Sequence, residues 1–135
     1  MVAPAAVLDA SAVLAYLQRE TGDRLTLDSL RAGAAISSVN WTEVLSKLFD
    51  LGLNAETIAD ELTRGGVVGA SLHILPFDES LARGAARLRP LTRGVGLSLG
   101  DRACLALGAS LGVPVLTTDR TWQSLRIGVK VQLIR

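Results

Sequence analysis

A chain of 135 residues is long enough to bury a hydrophobic core in one domain and too short for two ordinary domains. With 49% hydrophobic residues, 20% charged residues and a net charge of +1 it is not a disordered chain, and with only 4% aromatics its core must come from Leu, Val, Ile and Ala. The single cysteine, Cys104, excludes an internal disulfide or a cysteine-built zinc cluster, and the single histidine, His73, excludes a multi-histidine metal site.

Residues 5–8 form a short apolar run that meets Asp9, and residues 10–17 continue with a helical pattern. A buried strand thus enters a helix through a carboxylate. Residues 34–39 read as a second strand. In residues 41–51, Trp41, Val44, Leu45, Leu48 and Phe49 share one helical stripe, and Gly52 is placed to end it. Asn54 caps a helix running to about Arg64, stopped by Gly65 and Gly66. Residues 72–77 are a third strand, and Asp78 stands at the N-cap of a helix over 79–89, expected to end before Pro90. After a loop at 93–96 come a helix at 98–111, a strand at 113–117, a helical turn at 121–125 and a last strand at 129–134. Short apolar strands alternating with helices imply an α/β class, a mostly parallel central sheet with helices on both faces. There is no repeat and no linker, so residues 1–135 are expected to form a single domain.

The longest uncharged run, residues 103–118, is 16 residues long and broken by Gly108, Gly112 and Pro114, which is too short and too interrupted to span a membrane. The apolar start lacks a basic region and is interrupted by Asp9, unlike a secretory signal. A soluble cytoplasmic protein is expected.

Parallel sheets bind ligands beyond the carboxyl ends of their strands. Asp9, Asp78 and Asp119 are the acidic residues standing directly at such ends. Asp78 is explained as a cap; Asp9 and Asp119 are candidates for a site, with helix capping as the alternative. Asp101 lies in LSLGDRACLALGASL, a helix apolar nearly all round, where an unpaired buried carboxylate needs a cation or strong donors. Its alternative is a first-turn interaction with the helix N-terminus. Glu43, with Lys47 four residues on, has the spacing of an exposed ion pair. Carboxylates without His or Cys form a hard oxygen site suited to Mg²⁺ or Mn²⁺, ions whose natural use is phosphoryl chemistry. No Walker loop and no GxGxxG follows the first strand. The residues alone lead to an α/β domain with a divalent-metal carboxylate site.

Three stretches, VLDASAVLA, SSVNWTEVLSKL and LSLGDRACLALGASLGVPVLTTDRTW, resemble the PIN-domain ribonucleases, and among them the VapC-type toxins of prokaryotic toxin–antitoxin modules. The resemblance spans nearly the whole chain. It implies a PIN-like fold in which Asp9, Glu43, Asp101 and Asp119 gather at the sheet centre, bind Mg²⁺ or Mn²⁺ and hydrolyse RNA phosphodiesters. Asp9 and Asp101 are implied as the main ligands, with Glu43 and Asp119 completing the cluster and Ser11 and Thr118 supporting it. It raises Glu43 from a surface pair to a site residue. It also implies a homodimer, a cognate antitoxin that inserts Arg or Lys into the acidic pocket, and tRNA or rRNA as substrate.

Charge is unevenly spread: residues 1–70 carry five basic and nine acidic side chains (−4), residues 71–135 nine and four (+5), and eight of those nine bases are Arg. Arg matches phosphate geometry, which makes Arg87, Arg89, Arg93, Arg102 and Arg120 candidates for RNA contact, with surface charge or antitoxin contact as alternatives. His73 reads as a strand residue and Cys104 as a small core residue. The alternative functions are a PIN-type RNA-processing nuclease without an antitoxin and a non-catalytic α/β binding module. A phosphoacceptor receiver would want an acidic pair at the first strand, and a dehalogenase-like phosphatase an Asp where Ser11 stands.

Overall fold

The structure is a computed structural model that describes residues 3–135; Met1 and Val2, the first two residues of the expected 1–135 domain, lie outside it. Five strands form one sheet: β1 (Ala6–Leu8), β2 (Ala34–Ser37), β3 (Leu72–Leu75), β4 (Val115–Thr117) and β5 (Val131–Leu133). Their order is β3-β2-β1-β4-β5, and every pairing is parallel. The chain walks outward from β1 to β3, then returns to the other side of β1 for β4 and β5. The direction of winding therefore reverses between β1 and β4, which opens a crevice beyond their carboxyl ends.

Strand alternation sorts the core into two layers. Ala6 and Leu8 of β1, Ala34 and Ile36 of β2 and Leu116 of β4 pack against α1 (Ala10–Leu17), α2 (Asp23–Ala32), α3 (Ser38–Asp50) and α4 (Ala55–Arg64). Val7, Ala35 and Val115 face α5 (Glu79–Leu91), α6 (Leu99–Leu111) and Trp122 on the other side. Helices thus cover both faces, as expected. The α6–β4 approach is close enough that a Cβ at Gly108 would stand 2.5 Å from Val115 Cγ1, so only glycine lets this helix lie so near the sheet.

Five sequence expectations need correction. The third strand ends at Leu75 rather than 77, because Pro76 has no N–H to give the ladder. Helix α2 was not foreseen: its apolar residues are sparse, and only Thr26 and Leu30 are buried along it. The second strand ends at Ser37 rather than 39, because the Ser37 hydroxyl accepts from Val39 N and starts α3 at Ser38. The helix after Asp78 runs through Pro90 to Leu91, since a proline in the last turn lacks only one bond, and the Thr92 hydroxyl donates to Leu88 O at the frayed end. The last two strands begin two residues late, at Val115 and Val131, after approaches that run through Pro114 and Gly128. Among the described residues no helix is long and apolar enough to cross a membrane.

Candidate active site

Asp9 leaves β1 and starts α1 in one step. Its Oδ1 accepts from Ala12 N (2.9 Å), capping the helix, and from Ser11 Oγ (2.6 Å). Its Oδ2 accepts from Thr117 Oγ1 at the end of neighbouring β4 (2.5 Å). Each hydroxyl is in turn fed by a backbone amide of the same β4 exit: Thr118 N donates to Ser11 Oγ (3.0 Å), and Asp119 N donates to Thr117 Oγ1 (3.0 Å). Two parallel relays, amide to hydroxyl to carboxylate, clamp Asp9 across the β1–β4 crevice.

Asp119 caps the short 3₁₀ turn Arg120–Ser124 through Thr121 N (2.9 Å) and Thr121 Oγ1 (2.7 Å). Buried Trp122 anchors that turn in the core. Asp101 is the third residue of α6, and its Oδ2 accepts from Ser98 N (3.0 Å) while Ser98 Oγ accepts from Asp101 N (3.1 Å). This reciprocal capping box is the first-turn alternative weighed for Asp101, and it occupies one carboxylate oxygen. Asp101 is therefore partly exposed rather than enclosed by the apolar helix: its position at the start of α6 places it at the crevice. Glu43 makes no ion pair with Lys47; among the described residues the one ion pair is Arg83–Glu79. Glu43 instead turns toward α6, where its Oε1 accepts from Asn40 Nδ2 (2.8 Å) and its carboxylate rests on Gly100.

All four carboxylates line one cleft of 470 Å³, together with Ala10, Ser11, Leu14, Asn40 and Thr118. A larger hollow of 530 Å³, lined by Arg31, Ser71 and His73 among others, lies at the amino ends of β2 and β3 and holds no acid. Size does not pick the site; chemistry does. The cleft is also where electrostatic stress collects. Burial pushes the Asp9 carboxyl up from its ordinary value of 3.8, against the lowering effect of the bonds from Ser11, Thr117 and Ala12, and Asp101 adds to the rise. Burial pushes the Cys104 thiol well up, and Asp9, Asp101 and Glu43 each raise it further, so three carboxylates bear on one point beneath the cleft. The N-termini of α1 and α6 lie at the same crevice, where their dipoles offset part of that repulsion.

The sequence matches the PIN domain family over residues 6–127. The chain belongs to the PIN domain family. That family is one of nucleases. No curated protein matches the sequence. Solved structures share the fold: DNA-bound VapBC from Salmonella typhimurium (TM-score 0.72, 17% identity, 96% of this chain and 98% of that one) and a toxin–antitoxin complex from Klebsiella pneumoniae (0.71, 18%, 96% and 98%). A member of the VapBC family of toxin–antitoxin systems from Mycobacterium tuberculosis is 26% identical over 98% of this chain and 99% of that one, with a TM-score of 0.58.

The PIN cleft offers oxygen donors only, which fits a hard divalent cation and not zinc or copper. Its acids are nonetheless engaged with protein donors: among the described residues no three His, Cys, Asp or Glu side chains are arranged to hold an ion. Mg²⁺ suits such a place, because it keeps several waters and needs one or two carboxylates directly.

The other expected site residues divide. Ser11 supports Asp9 through its hydroxyl, whereas Thr118 contributes its backbone amide, and the hydroxyl that reaches Asp9 belongs to Thr117. Arg102 is drawn inward: its Nη1 donates to Ala85 O on α5 (3.1 Å) and its Nε is buried. Arg87, Arg89, Arg93 and Arg120 are exposed, with Arg120 directly after the cleft residue Asp119. His73 sits in β3, and Cys104 is fully buried. Sequence reasoning missed Asn40, Gly100 and Thr117. The spacing of Asn40 three residues before Glu43 on one helix was the available signal for the first.

Proposed function

We propose that this PIN domain is a Mg²⁺- or Mn²⁺-dependent endoribonuclease, the toxin of a prokaryotic toxin–antitoxin module. The observation that carries the reading is the convergence of Asp9, Glu43, Asp101 and Asp119 on one oxygen-only cleft at the β1–β4 crevice of a nuclease fold. Asp9 and Asp101 would hold the ion. When bound, the ion supplies Lewis-acid activation of water and neutralises charge on the scissile phosphate. Ser11 and Thr117 fix the Asp9 carboxylate at the wall of the cleft, with one acceptor position on Oδ2 left over after the bonds from Ser11, Ala12 and Thr117. Glu43 and Asp119 would complete the acidic cluster, orienting the attacking water or holding a second ion. No side-chain nucleophile is required, in keeping with a cleft that holds no Cys, His or Lys.

Exposed Arg87, Arg89, Arg93 and Arg120 are the candidates for phosphate contact. The toxin assignment draws support from the toxin–antitoxin origin of the similar solved chains, and from an acidic pocket that would attract a guanidinium or ammonium group. A cognate antitoxin carrying such a group, a homodimer, a cytoplasmic location and a tRNA or rRNA substrate belong to the same proposal.

Purified protein incubated with total RNA tests the chemistry. Cleavage should require Mg²⁺ or Mn²⁺, stop in chelator, and fall at least about 100-fold in Asp9→Asn and Asp101→Asn, because losing an ion ligand removes roughly 3 kcal/mol or more of transition-state stabilisation. Glu56→Gln, on exposed α4, should cut like wild type. Full activity in chelator refutes the proposal.

A further inference from the structure

Asn40 is a buried side chain, 1% exposed, on the first turn of α3. Its Nδ2 spends both protons at once, one on Glu43 Oε1 (2.8 Å) and one on Gly100 O of α6 (2.9 Å), while its Oδ1 is buried without a partner. An orphaned oxygen is a cost that an apolar residue would not carry, so this amide is not explained by stability. Opposite it, Gly100 has no room for a side chain: an added Cβ would lie 2.5 Å from Glu43 Oε2 and 2.7 Å from Glu43 Cδ and Oε1. Gly100 is an ordinary helical residue, so its backbone conformation does not call for glycine. What calls for it is the carboxylate lying against its Cα.

We infer that Asn40 and Gly100 are positioning residues that lock the Glu43 carboxylate into the acidic cleft and hold it beside Asp101. Asn40 grips one oxygen and ties α3 to α6 in the same contact; Gly100 supplies the seat. Without them Glu43, on an otherwise exposed face of α3, is free to turn to solvent or to Lys47. The inference rests on the nuclease reading in taking Glu43 as a working member of the cleft.

The test uses Gly100→Ala, Asn40→Ala, Glu43→Asp and the pair Gly100→Ala with Glu43→Asp. Alanine is the better helix former, so Gly100→Ala without metal should melt no lower than wild type. Its apparent Mn²⁺ affinity, read from thermal shift, should nonetheless fall about 10–100-fold, as should that of Asn40→Ala, the range expected when a support of an ion site is removed. Glu43→Asp is one methylene shorter and makes room for the new methyl. The double variant should therefore bind Mn²⁺ and cut RNA better than the product of the two single effects. The Asn40 side-chain amide resonances give a reading independent of metal and RNA, and should move in Gly100→Ala. Wild-type Mn²⁺ affinity in Gly100→Ala, strict additivity in the double variant, or an unmoved Asn40 amide overturns the lock. A wild-type chain that neither binds Mn²⁺ nor cuts RNA overturns the nuclease reading instead, and the Asn40 amide then decides the lock by itself.

Discussion

Replacing Thr117 by Val deletes one oxygen from a fully buried side chain and leaves its shape nearly unchanged. The oxygen it removes donates to Asp9 Oδ2 and accepts from Asp119 N. Leaving an ionised, buried carboxylate short of one donor costs about 2–3 kcal/mol. For 135 residues the unfolding entropy is about 0.28 kcal/mol/K, so Tm should drop by about 7–10 °C in chelator at pH 7.5. The loss should depend on pH. Because the Asp9 carboxyl is raised from 3.8 in the folded chain, the folded state holds that proton more tightly than the unfolded one. The stability this confers is complete below about 3.8 and is lost as pH rises through the folded value. Thr117→Val deletes one of the bonds that lower that value, raises it further, and so enlarges the penalty on the alkaline side. Toward acid, as the folded carboxyl takes up its proton, the cost should shrink toward the ~1 kcal/mol of a neutral hydrogen bond. Thermal unfolding of wild type, Thr117→Val, Asp9→Asn and the double variant from pH 4.5 to 7.5 closes the cycle. A Tm drop that is the same at both ends of the range, or undiminished when residue 9 is Asn, refutes the assignment of this hydroxyl to the Asp9 carboxylate.

Saturating Mn²⁺ at about 100 times its Kd should add roughly 2.7 kcal/mol and raise the wild-type Tm by about 10 °C, and should raise Asp101→Asn much less; equal shifts would remove Asp101 from the ligand set. Ser11→Ala breaks only the relay from Thr118 N, so calorimetry should show a loss of about 1–2 kcal/mol, smaller than for Thr117→Val because Ala12 N still holds the same Asp9 oxygen. Arg102→Ala should lower Tm through the lost bond to Ala85 O while leaving the salt dependence of RNA binding unchanged; a reduced salt slope would make Arg102 a phosphate contact after all. Glu79→Gln, in an exposed pair with Arg83, should leave Tm within about 1 °C of wild type.

Much of the fold was legible because its strands are short apolar runs, three of them with an acid or a proline beside them: Asp9 after β1, Pro76 after β3 and Pro114 before β4. The runs at 5–8 and 113–117 locate β1 and β4 to within two residues, and Asn54, Asp78 and Ser98 mark helix starts by their chemistry. Two things were not legible. Helix α2 lies on the surface with few apolar residues, so its pattern is hardly distinct from a polar loop. The strand order depends on which strand pairs with β1 after the return from β3, and no local pattern encodes a pairing between Val7 and Val115.

The site was half legible for a reason built into parallel sheets. The carboxyl end of a strand, where ligands bind, is also where the next helix begins, and both roles want a carboxylate. Asp9 and Asp119 cap a turn and line the cleft at once, as does Asp101 three residues into α6, so capping does not compete with a place in the cleft for them. A cap alone, however, needs only the amides of its own turn. Asp9 takes a further bond from Thr117, 108 residues away in sequence, and Glu43 is held by an Asn40 amide that also grips Gly100 on another helix. Neither donor has a function in starting a helix. They aim carboxylates that would otherwise repel one another into a common volume, and only the folded chain brings them there. Asp78 is the internal control: it stands at a strand end and caps α5 through Leu81 N, yet among the described residues no other side chain reaches it, and it lies outside the cleft. Asp9 and Glu43 therefore differ from a capping acid in the side-chain donors they take beyond the amides of a turn, and removing Thr117 or Asn40 should leave Asp9 an ordinary cap and Glu43 a surface charge.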